Sequence, residues 1–174
     1  MDTNEIEQMI AANLSAKSEY DRLVSDEITD RGDPGPATDT AIAQTERSLG
    51  RPLPDSFKDF LRVRNGIRHF DGDSHILAVE EITSDWVRQE CAAKADLFIE
   101  FEDSNPFAEG AIPIMIGVDS NALLLWHPGK RDGGVFSEYD IVEHIDDYES
   151  LFDYIRDDTR LVDSMVEDES GEAG

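Results

Sequence analysis

Apolar residues recur at mixed three- and four-residue intervals over positions 4–28, where Ile6, Met9, Ile10, Leu14, Tyr20, Leu23, Val24 and Ile28 are separated by charged and polar positions. That period places them along one stripe of a helix, with Asp2, Thr3 or Asn4 to cap it. Asp30-Arg31-Gly32-Asp33-Pro34-Gly35-Pro36 follows and interrupts regular structure, because proline fixes φ and removes a donor while glycine is unrestrained. A second helix opens at Thr38-Asp39-Thr40, carries Ile42, Thr45, Glu46 and Leu49, and stops at Gly50. Arg51-Pro52-Leu53-Pro54 is a stiff extended connector. Asp55-Ser56 then caps a third helix with Phe57, Phe60, Leu61 and Val63, closed by Asn65-Gly66.

Beyond this point the period shortens. Ile76-Leu77-Ala78-Val79 reads as a short strand, followed by a helical pattern through Trp86, Val87, Cys91 and Ala95, while residues 97–101 fit a helix end or a strand. Residues 112–117, 122–126, 134–137 and 141–145 are β-rich runs separated by Asp, Asn, Gly and Pro. A last helix spans about 148–161 and buries Leu151, Phe152, Tyr154 and Ile155. Helices first, an antiparallel meander next and a closing helix predict an α+β fold. The expected organisation is an N-terminal helical extension (1–29), a linker (30–37), an α+β domain (38–162) and a disordered acidic tail (163–174).

Charge narrows the function classes. Forty Asp and Glu against 15 Lys and Arg give a net charge of −25 over 174 residues. Such a chain repels phosphate backbones and anionic lipid, which argues against nucleic-acid and membrane-surface roles, and it steers a cationic protein partner toward itself. The same bias also fits solubility alone, as in a salty cytoplasm, so charge by itself names no partner. The one cysteine, Cys91, has no partner for an internal disulfide, and neither a leader nor an 18-residue apolar run stands in the sequence. A cytoplasmic protein is the expectation.

The stretch from Glu46 to Gly66, with Leu49-Gly50, Leu53-Pro54, Phe57-x-x-Phe60-Leu61 and Asn65-Gly66, resembles the SUKH superfamily. That group includes the yeast cell-wall-assembly regulators and many bacterial immunity proteins. Glu81-Ile82 with Trp86, Ile112-Pro113-Ile114 and Gly134-Val135 extend the resemblance over roughly residues 38–160. Asp119-Ser120-Asn121 departs from it, lacking the turn glycines of many members. The resemblance implies an antiparallel meander packed with helices and a non-catalytic protein-binding role. Its bacterial form is an immunity protein that neutralises a toxin effector, for which the acidity of this chain suits a basic nuclease, and its alternative is a regulatory or scaffolding module without a toxin.

The motifs themselves are structural, so any candidate chemistry lies elsewhere in the chain. His69-Phe70-Asp71-Gly72-Asp73-Ser74-His75 alternates histidines and aspartates and could hold a divalent ion if extended, yet a polar turn explains it as well. Ser137, Ser150 and Ser164 lack a glycine elbow, His127 and His144 stand alone, and Cys91 falls within a helical pattern. No phosphate loop is present, and no catalytic residue, metal or cofactor is expected. For partner binding, Trp126 ends an apolar strand before a turn and is placed as an aromatic anchor. Glu100, Glu102, Asp103, Asp119, Glu138 and Asp140 form the expected negative rim for a toxin's basic surface.

Overall fold

The computed structural model describes residues 1–25 and 28–172, and the chain divides into two compact units, Met1–Asp30 with Leu151–Gly174 and Arg31–Ser150. Five helices and six strands stand among the described residues, with all strands in one antiparallel sheet, as expected for an α+β meander.

In the central unit, α2 (Asp39–Leu49) starts at Thr38, whose hydroxyl accepts the Ala41 N–H at 3.1 Å. It stops at Gly50, whose φ of 68° lets its N–H turn back to the helix's last carbonyls. Glu46 then holds the Leu-Pro connector, accepting the Leu53 N–H at 2.9 Å and facing Lys58 at 3.6 Å. α3 (Asp55–Val63) has Pro54 at its N-cap. Asp55 and Ser56 therefore do not cap it. Asp55 sits in the first turn, where it favours the helix dipole and pairs with Lys58 at 2.9 Å. Phe57, Phe60 and Leu61 are wholly buried.

Asn65-Gly66 is a joint as well as a stop. The Asn65 backbone N–H reaches Gly35 O at 2.7 Å, its side-chain oxygen accepts the Val79 N–H at 2.8 Å, and its amide nitrogen donates to Glu80 at 2.9 Å. Gly66, at φ 86°, lets the backbone of residues 76–78 pass so closely that a Cβ would stand 2.7 Å from Ala78 N.

The sheet runs in sequence order from β1 (Ile67–Asp71) and β2 (Ser74–Ile76) through β3 (Ile112–Gly117), β4 (Leu123–His127) and β5 (Val135–Asp140) to β6 (Glu143–Tyr148). Between β2 and β3 the chain forms α4 (Asp85–Glu102). β3 and β4 are buried at every position, which is why they read as continuous apolar runs. The edge strand β6 is exposed and charged, a usual safeguard against strand addition.

Several boundaries differ from the sequence reading. The segment 69–75, read as a polar turn, is a hairpin. β1 contains an irregularity at His69, whose φ is 49°, so Ile67 and Phe70 are both buried although three residues apart. Residues 97–101 are helix, and the 76–79 strand ends at Ile76.

The other unit comprises α1 (Thr3–Val24) and α5 (Leu151–Glu172), which pack on each other. α1 opens with a reciprocal box in which Asp2 and Glu5 each accept the other's N–H. Of the helix expected to reach 28, residues 26 and 27 lie outside the described residues. Lys17 and Asp158, 4% and 10% exposed, form an ion pair at 3.0 Å, and Asp158 also accepts from Asn13 at 2.6 Å. The expected disordered tail is corrected up to Glu172. Val162 is buried and Met165 and Val166 are half-buried at three- and four-residue spacing, and no proline intervenes, so the helix continues. Residues 173 and 174 lie outside the described residues.

Candidate functional site

The C-terminal end of α4 breaks a local rule. A helix C-terminus carries partial negative charge and favours cations, yet the last turn of α4 has no basic residue and ends in Glu100, Glu102 and the cap Asp103. All three are exposed, and none of their side chains makes a hydrogen bond or ion pair to another described residue. Charges placed against the dipole and left without partners are a local cost that folding does not require.

Beside this end, an open groove of about 510 Å³ lies against the outer strands. Phe98 on α4 meets Tyr139 on β5 edge to face, with centroids 5.2 Å apart. Phe98, Pro106, Tyr139 and Val142 supply its apolar walls, and Glu102, Glu109 and Glu143 bring carboxylates to it from α4, the following connector and β6. The register sets the β3–β4 and β5–β6 turns at the same end of the sheet, because Leu123 pairs with Tyr139. Asp119 and Asp140, both exposed, therefore share that end with Glu143, which pairs with Asp140.

The groove's opposite wall is organised around Asp147. Its carboxylate accepts from Ser137 at 2.5 Å and from His144 at 2.9 Å, and faces Lys130 at 3.6 Å and Arg131 at 3.4 Å. Burial alone would raise its pKa, but the Ser137 and His144 hydrogen bonds and the Lys130 charge outweigh that and hold it at about 2. Ser137 is wholly buried and gives its proton to this very weak base, so it is not an activated nucleophile. Burial pushes the Cys91 thiol up to about 12, leaving no thiolate for catalysis at neutral pH.

His127, 8% exposed, has Nε2 3.3 Å from the Tyr139 hydroxyl, and burial followed by the Lys130 charge lowers its pKa to about 4. In the unfolded chain the imidazole titrates near 6.5. Its neutral form thus supports the fold fully above pH 6.5, and that support is lost as pH falls from about 6.5 to about 4, while the unfolded state alone takes up the proton. Relative to His127→Gln, the unmodified chain is expected to lose stability across that window. Urea titrations of both chains at several pH values check this, since the many carboxylates cancel in the difference.

The expected site residues separate clearly. Glu102 lines the groove, and Glu100 and Asp103 share its helix end, with Asp140 and Asp119 at the neighbouring turns. Glu138 is half-buried and accepts from the Tyr148 hydroxyl at 3.0 Å. Trp126 is corrected as an exposed anchor, because it is 8% exposed and lies against the backbone of Gly134, where a Cβ would collide with the indole. Glu109, Glu143, Phe98 and Tyr139 were not foreseen. The alignment of Tyr139 and Glu143 depends on the β4–β5 and β5–β6 registers, which short runs of sequence do not reveal.

The 69–75 segment is committed to the fold. The Asp73 carboxylate accepts the N–H groups of Asp119 and Ser120, the second at 2.6 Å, and the buried Lys94 donates to Ser120 O at 2.9 Å. These side chains hold the β3–β4 turn that lacks glycine. Among the described residues no group of three or more His, Cys, Asp or Glu is placed to hold a metal ion. No described helix is long and apolar enough to cross a membrane.

Comparison with known proteins gives two findings. The chain is 28% identical over 112 residues to the uncharacterised protein YnaB of Bacillus subtilis (strain 168), covering 64% of this chain and 66% of that protein's length. Residues 36–157, from the linker through the first turns of α5, match the family described as SMI1 / KNR4 (SUKH-1). Since this match spans well over half of the 174 residues, together with the Leu-Gly, Leu-Pro and Asn-Gly joints in the places described, the chain belongs to the SMI1/KNR4 family, SUKH-1.

Proposed function

We propose that this chain is an immunity-type inhibitor that binds a toxin's effector domain in the cytosol and blocks its action. The observation that carries the reading is the set of exposed carboxylates without partners at the α4 C-terminus, Glu100, Glu102 and Asp103, set against the helix dipole. Asp119 and Asp140 extend the negative field at the adjacent sheet end. Trp126 and Glu138 fall outside this set, the first packed against Gly134 and the second bonded to Tyr148. Membership in a family with protein-binding members supports the same direction. Long-range attraction of this kind accelerates encounter with a basic surface and weakens with salt. A nuclease effector, whose phosphate-binding surface is basic, fits such a field best.

The test is co-expression with any toxin effector domain found encoded beside this chain's gene, scored by growth, with binding followed in parallel at 50 and 300 mM salt. Protection of growth is expected, with an association rate that falls steeply with salt. A Glu100→Gln/Glu102→Gln/Asp103→Asn variant is expected to associate about tenfold more slowly at low salt. Growth arrest despite full expression, or salt-independent association, would sink the inhibitor reading and leave the regulatory module.

A further inference from the structure

We infer that the groove at the end of α4 is an anchor pocket for an arginine side chain of a protein partner. The inference rests on the reading of this chain as a protein binder but does not depend on the partner being a toxin. An arginine has an apolar stem and a flat cationic head with five N–H donors. The groove matches both parts: Phe98, Pro106 and Val142 offer apolar wall to the stem, and Glu102, Glu109 and Glu143 offer acceptors to the head.

Three features favour a basic head over any other occupant. The carboxylates reach one groove from three separate segments. None of the three side chains has a hydrogen-bond or ion-pair partner among the described residues, so each keeps its full acceptor capacity. The groove's own cation, Lys130, is held on the far wall by Ser137 at 3.1 Å and Asp147 at 3.6 Å, so its charge is offset where it stands. His144 is likewise bound to Asp147, at 2.9 Å. A planar guanidinium can serve two carboxylates at once, which a point-like ammonium does less well.

The experiment follows the backbone amide NMR signals of the full chain during titration with N-acetyl-arginine methylamide. The neutral isostere N-acetyl-citrulline methylamide and free L-arginine are run beside it. Saturable shifts centred on Phe98, Glu102, Tyr139, Val142 and Glu143 are expected for the arginine amide and absent for citrulline. Glu102→Gln/Glu109→Gln/Glu143→Gln is expected to weaken that binding by about tenfold or more. Asp96→Asn/Asp132→Asn/Glu149→Gln, which removes equal charge at exposed positions outside the groove, is expected to change it less than about twofold. Equal weakening by both variants, or equal binding of citrulline, would overturn the pocket while leaving the protein-binding reading intact. Free L-arginine, whose added α-ammonium and α-carboxylate cancel in charge, is expected to bind no more tightly than the blocked amide, and markedly tighter binding would overturn docking in favour of a metabolite site.

Discussion

Replacing Gly66 with alanine is expected to cost about 2–5 kcal/mol, enough to unfold a marginal domain. Two effects add. At φ 86° an alanine is held in the left-handed region, at a cost of about 1–2 kcal/mol. Its Cβ would also stand 2.7 Å from Ala78 N and 2.9 Å from Ile76 O, both backbone atoms that cannot swing away. Moving them would disturb Asn65, which holds Gly35, Val79 and Glu80 around the same joint. Gly72→Ala is the control, since Gly72 also has positive φ, 57°, but no atom within 4 Å of the added Cβ. It should cost about 1 kcal/mol. Denaturant midpoints for the two variants separate backbone strain from collision, and equal losses would remove the close approach as the cause.

The same joint marks where sequence was readable. Leu-Gly, Leu-Pro and Asn-Gly are visible because each meets a backbone demand of its own: Gly50 at φ 68°, Pro54 at an N-cap, Gly66 under a passing strand. Strands β3 to β5 were visible because their apolar runs are bounded by turn residues. β1 was hidden by its irregularity at His69, which abolishes the two-residue alternation that a strand signal depends on. Helix α5 beyond Leu161 was hidden by acidic composition, although Val162, Met165 and Val166 keep the helical spacing.

The candidate site was only half readable for a related reason. Acidic residues are so abundant that their types carry no information, and what matters is which of them folding uses. Asp73, Glu46, Asp147 and Glu138 resemble Glu102 in sequence, yet each accepts hydrogen bonds that hold a turn, a connector or a strand pair. Glu102, Glu109 and Glu143 are left over once those needs are met, and the fold gathers them at one groove. A partner site in an acidic protein is thus found by subtraction, after the structural carboxylates have been accounted for.

Asp158→Ala is expected to be as damaging as the glycine change, at about 3–5 kcal/mol, for an electrostatic reason. Lys17 is 4% exposed and meets Asp158 at 3.0 Å, while the other carboxylate oxygen accepts from the buried Asn13 at 2.6 Å. Removing the carboxylate takes from the buried ammonium its counter-charge at 3.0 Å, and from Asn13 the shorter of its two bonds from that amide. The loss measures the disruption of a buried charge more than the net worth of the pair. Lys17→Met/Asp158→Leu removes both charges and fills the space, and it is expected to recover at least half of the stability lost by Asp158→Ala. Denaturant unfolding of the single and double variants decides it. A single-variant loss below about 1 kcal/mol would mean that water reaches the pair, as at an exposed salt bridge. No recovery in the double variant would mean that Asp158 acts mainly through Asn13 and its neighbours on α5.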